Sequence, residues 1–306
     1  MTLNLTKPLS SYHFVTIERA ALETLAYSDI FDYPLRVEEL HHFLPLSVDL
    51  SDLQSILDRR NDRIGKCEGF YFLAGREELV SLRKRREINS LPVFKRAVRI
   101  GRILGLLPFI RMVGLTGSLA HLNCDTNADI DYLLVAAHGR VWMARVFALV
   151  VGRLTALFGN TLCPNLIISD QALDWQERDI YSARELSQLI PITGLDFYLH
   201  LREINSWTNN FLPNATKAPD LSPIGSSNQY FIQKIAEIPL RGLFGDRLET
   251  CEMDRKIKRF MNQPGYGVET QFNKDICQGN FDHHGLQTKE AYQQRLTELG
   301  LLQKVV

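Results

Sequence analysis

The sequence lacks an excess of charge of either sign: 35 Lys and Arg balance 35 Asp and Glu over 306 residues. Without a net field, the molecule as a whole is not drawn to nucleic acid or to an anionic membrane, and an electrostatic partner site must be local. Cysteine is sparse. The five cysteines (Cys67, Cys124, Cys163, Cys251 and Cys277) are odd in number, widely spaced and free of a CxxC pair or zinc-type spacing. This argues against a disulfide scaffold or a structural zinc site, and for reduced thiols in a cytoplasm. No long apolar run is present either. The most apolar stretch, 141–158, is broken by Arg145, Gly152 and Arg153, whose cost in mid-bilayer argues against a spanning helix. Residues 1–12 carry one lysine and no apolar core of signal-peptide length, so the expected location is cytoplasmic, with no membrane partner. There is no GxSxG elbow, no GxxxxGK[ST] loop and no GxGxxG fingerprint, which removes support for serine-hydrolase, P-loop and Rossmann readings.

What is there begins with an ordinary globular composition: 45% hydrophobic, 23% charged and 12 prolines. The length suits about two domains of roughly 150 residues. Ile17, Ala21, Leu22 and Leu25 fall at helical spacing, and Tyr33-Pro34 ends that helix. Val37, Leu40, His41 and Leu44 mark a second helix, stopped by Pro45; Leu50, Leu53, Ile56 and Leu57 mark a third, capped near Ser47 or Asp49. The period then changes to two over 63–66 and 69–73, joined through 67–69 as a hairpin. Three helices and a hairpin over 1–82 resemble a winged helix. DNA binding would use Arg59, Arg60, Arg63 and Lys66, but the third helix offers Asp49, Asp52 and Asp58 and is a poor surface near phosphates. Packing or protein binding is the better expectation for this module.

A basic linker helix over 83–110 follows. Arg83, Lys84, Arg85, Arg86, Lys95, Arg96, Arg99 and Arg102 surround the single acid Glu87, with an interruption or kink expected at Pro92. The cations could meet a nucleoside triphosphate or RNA; a solvated helix face explains them equally well.

The chemistry lies in Met112-Val113-Gly114-Leu115-Thr116-Gly117-Ser118, the ten residues 119–128, and then Asp129-Ile130-Asp131-Tyr132-Leu133-Leu134-Val135. Strand alternation places Asp129 and Asp131 on one face, about 7 Å apart, with Ile130 and Tyr132 on the other. Two such carboxylates can hold one or two divalent ions. Gly117-Ser118 at the start of a helix would turn backbone N–H groups and a hydroxyl towards an anion.

Together these residues resemble the signature of the DNA polymerase beta-like nucleotidyltransferase superfamily: a hydrophobic residue, Gly, Gly or Ser, nine to thirteen residues, then Asp-hydrophobic-Asp or Glu. The resemblance covers residues 111–170. It implies an α+β fold, a mixed sheet with flanking helices, occupying a nucleotidyltransferase domain over 111–213. It also implies Mg²⁺ or Mn²⁺ on Asp129 and Asp131 as catalytic metal ligands, with Gly117 and Ser118 on the phosphates of a nucleoside triphosphate. An acceptor hydroxyl of a small molecule, protein or RNA would attack the α-phosphate, AMP being the expected transferred group, and pyrophosphate would leave. The family usually supplies a third carboxylate from a later strand. Asn165 stands there, with no charge and no capacity to act as a base, and Asp170 at the end of the same strand has the opposite parity. The alternative is a catalytically degenerate, nucleotide-sensing regulator whose winged helix binds DNA or protein.

Downstream, 174–188 and 195–211 read as helices separated by residues 191–194. Residues 213–227 read as a loop or boundary, and 214–306 as a mainly helical C-terminal region. The helix over 248–261 carries Arg255, Lys256, Lys258 and Arg259, best read as a solvated face, and His283-His284 reads as a surface turn rather than a metal site.

Overall fold

A computed structural model of the chain describes residues 11–59, 61–124, 129–157, 159, 161–215 and 229–302. Arg60, residues 125–128 of the motif segment and most of the expected 213–227 loop lie outside them. The chain divides into two compact units, one of Met1–Lys84, Asn209–Lys217 and Thr288–Val306, the other of Arg85–Thr208 and Ala218–Gln287.

In the first unit, α1 (Ser11–Asp29), α2 (Val37–His42) and α3 (Leu50–Leu57) precede an antiparallel hairpin of β1 (Ile64–Cys67) and β2 (Phe70–Leu73). The apolar positions that set the helical periods converge: Ile17, Leu22, Leu25, Leu40, Leu53 and Ile56 share one core with Tyr71 and Leu73. Glu68 and Gly69, both at positive φ, form the two-residue hairpin loop, the left-handed geometry that matches strand twist. Leu35 pairs with Tyr71 as a further bridge beside the hairpin. Two of the four cations expected to meet phosphate, Arg63 and Lys66, are engaged within the unit. Lys66 pairs with Asp58 at 2.8 Å, and Arg63 donates to the Leu299 carbonyl. Arg83, expected on a basic helix face, is instead buried, paired with Glu39 at 2.8 Å and stacked 3.6 Å over the Tyr33 ring.

Helix α4 (Glu78–Leu104) runs on through Pro92 without ending there. The second unit then unfolds in order as β3 (Ile110–Leu115), α5 (Gly117–Ala120), β4 (Ile130–Ala136), α6 (Val141–Ala156) and β5 (Leu162–Ser169). After these come α7 (Ile180–Gln188), β6 (Ile190–Thr193), α8 (Leu195–Ile204), α9 (Gln229–Glu237), α10 (Leu243–Phe260), β7 (Thr270–Phe272) and β8 (Ile276–Gly279). The last helix of the chain is α11 (His284–Glu298). The fold is mixed α+β. Its six strands lie in the order β6-β3-β4-β5-β8-β7, and among the described residues only β4 and β5 pair in parallel, joined by the crossover helix α6 as a parallel pair requires.

Strand alternation divides the sheet's two faces. Ile130, Tyr132, Leu134 and Ala136 enter a core with Ala97, Ile100 and Leu104 of α4 and Trp142, Ala148 and Val151 of α6. The Tyr132 hydroxyl, which would otherwise be a buried unsatisfied donor, gives its proton to the Ala97 carbonyl at 2.7 Å. Leu133 and Val135, buried on the opposite parity, belong to the face that carries Asp131. There Leu189 packs so closely over Gly114 that a Cβ on the glycine would lie 2.5 Å from its Cδ1.

Four elements differ from the sequence expectation. Of residues 191–194, read as a helix break, the first three belong to the edge strand β6 (Ile190–Thr193), where Pro191 is tolerated because an edge leaves one side of the strand unpaired. β7 and β8 lie within the region read as mainly helical and extend the sheet beyond β5. The helix expected from 174 starts only at Ile180, where the Asp179 carboxylate accepts from the Ser182 amide at 2.8 Å as an N-cap.

Candidate functional site

The site is built at the turn between β3 and β4. The Thr116 amide donates to the Asp131 carbonyl at 3.0 Å, tying the end of β3 to the start of β4. Gly117 follows at φ +68°, and a Cβ there would lie 2.6 Å from Asp131 Oδ2. Glycine is therefore needed twice, for the left-handed backbone and for the room that the carboxylate takes. Ser118 is exposed next to it. Because α5 has only four residues, little dipole sums along it. What it offers an anion is the leading N–H groups of its single turn, which have no partner within the helix.

Asp131 pairs with Cys163 across the parallel β4–β5 ladder, and the Cys163 thiol donates to its carboxylate. Burial, and then the negative charge of Asp129, push the Asp131 carboxyl up to about 6. Burial, reinforced by Asp131 and Asp129, pushes the thiol up to about 12, so Cys163 is a neutral donor rather than a nucleophile. Asp129 itself is exposed. The two motif aspartates are thus near enough to repel, one at the surface and one enclosed.

Glu185 of α7 is the acid that sequence reasoning missed. It opens onto a cavity while its carboxyl is enclosed, and burial, then the charge of Asp131, push it up to about 7. A signal was available in the stripe Ser182, Glu185, Leu186 and Leu189, spaced i, i+3, i+4, i+7, which puts one acid on an apolar helix face.

Asn165 does not oppose Asp131. The ladder slips between Asp131 and Leu133, so that Tyr132 faces both Pro164 and Asn165. Asn165 is consequently exposed, on the cavity wall. Asp170 lies past the other end of β5, where its amide donates to the Ala136 carbonyl at 2.8 Å. From Asp131 to Ala136 the strand climbs about 16 Å at roughly 3.3 Å per residue, so Asp170 is not brought to the motif.

The cavity measures about 370 Å³, within the size range of small-molecule sites. Its floor is the Asp131 face of the sheet, with Leu133, Leu166 and Ile168, and its walls come from α7 and from the 268–280 segment. Asn205 fixes one rim. Its amide nitrogen donates to the carbonyls of Leu173 (2.7 Å) and Leu201 (2.8 Å), and its oxygen accepts from the Trp175 amide (2.9 Å) and Trp207 Nε1 (3.0 Å). Glu269 fixes another, accepting from Asn280 Nδ2 at 2.9 Å and the Gly285 amide at 3.1 Å.

Among the described residues no group of three or more His, Cys, Asp or Glu side chains is gathered as a ligand set. Asp129 and Asp131 nonetheless fit Mg²⁺ in kind. It is a hard cation that typically takes one or two protein carboxylates and completes its shell with water and substrate phosphate, and the mutual repulsion of this pair is what a cation would relieve. His283 sits in a turn at φ +55° and His284 opens α11; only His284 reaches the cavity wall. Lys256 on α10 has its ammonium pKa held below the ordinary value, by burial first and then by Arg145, Arg255 and Arg259, so part of the basic face on that helix is crowded rather than freely solvated. Comparison of the chain with family models, curated proteins and solved structures finds no match.

Proposed function

We propose that this protein transfers a nucleoside monophosphate, AMP in our reading, from a nucleoside triphosphate to a hydroxyl acceptor. The observation that carries the proposal is the seating of Gly117 against Asp131, which joins the β3–α5 turn to a carboxylate with no side chain between them. The strand–turn–strand unit with its parallel crossover supports a polymerase beta-like arrangement of the same residues. Gly117 and Ser118 would hold phosphate oxygens by backbone N–H groups and the hydroxyl. Asp129 and Asp131 would hold Mg²⁺, which when bound neutralises charge on the phosphates and polarises the reacting oxygens. In the transfer, the acceptor oxygen bonds to the α-phosphorus, the bond from that phosphorus to the α,β-bridging oxygen breaks, and pyrophosphate leaves. The hydroxyl proton goes to a carboxylate. Glu185, enclosed and titrating near neutrality, is suited to take it and supplies the acid that Asn165 does not.

The test is incubation of the purified chain with each α-labelled nucleoside triphosphate and Mg²⁺ or Mn²⁺, alone and with cell extract. Label transfer or pyrophosphate release that vanishes in Asp129→Ala/Asp131→Ala is the expected result; its absence with every nucleotide and extract defeats the proposal. One observation favours a second reading, a nucleotide-sensing regulator: β5 sets a neutral thiol beside Asp131 where a carboxylate would serve turnover. On that reading the three helices and hairpin of the first unit are a winged helix that contacts protein or DNA, and nucleotide binds without transfer.

A further inference from the structure

Helix α9 is packed inside out. Its polar residues Gln233 and Glu237 are buried. The Gln233 amide nitrogen donates to the carbonyls of Gly105, Leu107 and Ile110, and Glu237 accepts from the Phe109 amide and from Arg111. Phe231, Ile235 and Ile238, spaced i, i+4 and i+7 on the other side, face solvent. The apolar run continues past the 3-10 turn Ile238–Leu240 into α10, where Leu243, Phe244 and Leu248 are exposed as well. The two helices meet at Phe109, whose amide holds Glu237 and whose ring lies 5.5 Å from the Arg140 guanidinium, itself paired with Asp246 of α10 at 2.6 Å. The six apolar side chains are 40–81% exposed. Single apolar residues scattered on a surface are ordinary, but six within residues 231–248 mark an interaction face.

The charge on this face is mainly of one sign. Lys234, Arg241 and Arg247 are exposed among the apolar side chains. The acids of the same stretch are taken up by the protein: Glu237 by Arg111 and Arg241, Asp246 by Arg140, and Glu249 by the Trp142 and Met143 amides. Further along α10, Met253, Ile257 and Phe260 pack on the core. Helical spacing then turns Arg255, Lys258 and Arg259, all exposed, to the outward side that carries Phe244 and Leu248. Glu252 offsets Arg255 at 2.6 Å and Asp254 is exposed at the flank, yet the exposed balance stays positive.

This combination selects among occupants. Two-fold pairing with a second copy would set these cations against their own counterparts. A nucleic acid would meet the cations and leave the apolar side chains in water. A protein groove encloses the helix it binds, whereas α9 and α10 stay fixed to their own unit through Gln233, Glu237 and Glu249 and offer one side only. A bilayer surface with anionic lipid satisfies both halves, since the acyl boundary takes the apolar side chains and the headgroup phosphates take the cations.

We propose that α9, the 3-10 turn and the outward side of α10 dock this protein on anionic lipid bilayers. Among the described residues no helix is long and apolar enough to cross a membrane, so the contact is peripheral. Net charge and spanning runs, on which the expectation of no membrane partner rests, do not register a local surface of this kind. Docking is independent of the transfer reaction.

The test is flotation of the full chain, without nucleotide or divalent metal, with vesicles of phosphatidylcholine alone or of phosphatidylcholine with about a third phosphatidylglycerol. The expected result is flotation with the anionic vesicles at an affinity at least about tenfold above that for the neutral ones, weakened in about 0.5 M salt. Leu243→Ser/Phe244→Ser, at two exposed positions, lowers that affinity by about tenfold or more and leaves the melting temperature unchanged. Lys258→Gln/Arg259→Gln lowers it several-fold for the anionic vesicles alone. Flotation with neither vesicle, equal affinity for both, or wild-type flotation of Leu243→Ser/Phe244→Ser overturns the proposal. So does a lipid-free dimer in analytical ultracentrifugation that Leu243→Ser/Phe244→Ser dissociates, which would assign the face to a second copy.

Discussion

A single absent methyl group decides the geometry at Gly117. Alanine there would have to hold φ +68° and place its Cβ against Asp131 Oδ2, so either the turn or the carboxylate must move. Gly117→Ala is expected to cost about 1–3 kcal/mol of stability for the strained backbone and about a hundredfold in transfer rate for the displaced site. Urea denaturation and single-turnover label transfer measure the two effects separately; a variant with wild-type transfer would sever the turn from the chemistry. On the transferase reading, Glu185→Gln keeps the shape and removes the proposed proton acceptor. It should retain nucleotide binding and lose about 10²–10⁴ in rate, and a variant of unchanged kcat would remove Glu185 from the reaction. At this scale the sequence was most legible where backbone constraint is written into residue type: Gly117-Ser118 and Asp129-Ile130-Asp131 could be read directly. For Glu185 the stripe shows only one acid on an apolar helix face; nothing local reveals that a helix 54 positions after Asp131 turns that acid onto the same sheet face.

Elements were legible where they were long and strongly periodic. The stripe of Leu53, Ile56 and Leu57 announces α3, and the break at Glu68-Gly69 announces the hairpin. β7 and β8, of three and four residues, are too short to show alternation; β8 takes its place by tertiary pairing with β5, and β7 by pairing with β8, rather than by local preference. A similar long-range dependence governs the start of α6. Arg140 at its N-cap makes no side-chain cap bond; instead Glu249 of α10 accepts from the Trp142 and Met143 amides, each at 2.8 Å. A buried carboxylate borrowed from another helix thus satisfies two amides that α6 leaves open. Glu249→Ala should destabilise the protein by about 1–3 kcal/mol by leaving those donors unpaired. Equilibrium unfolding of the variant measures it, and a change within about 0.5 kcal/mol, as at an ordinary surface site, would mean that water replaces the cap.

Across the sheet-bearing unit, the ion pair that anchors α9 to β3 couples stability to pH. The buried Glu237 carboxylate accepts from the Phe109 amide at 2.9 Å, from Arg111 at 2.7 Å and 3.2 Å, and from Arg241 at 2.8 Å. Burial alone would raise its pKa, but the bonds from Arg111, Arg241 and Phe109 outweigh burial and hold it below the ordinary carboxylate value. A carboxyl depressed in the folded state binds protons more readily when unfolded. Its contribution is therefore complete above the ordinary glutamate value of about 4.3, and is lost as pH falls through that value towards the depressed one. Removing the charge strands Arg111 beside a neutral group, and breaking such a pair costs about 3–5 kcal/mol. Wild type should thus exceed Glu237→Gln by a constant margin between pH 7 and 5.5, and the margin should shrink below about pH 4. Urea midpoints of the two proteins across that range decide the matter. A margin that widens on acidification would show that burial, rather than the arginines, sets the carboxyl, and would reverse the sign of this coupling.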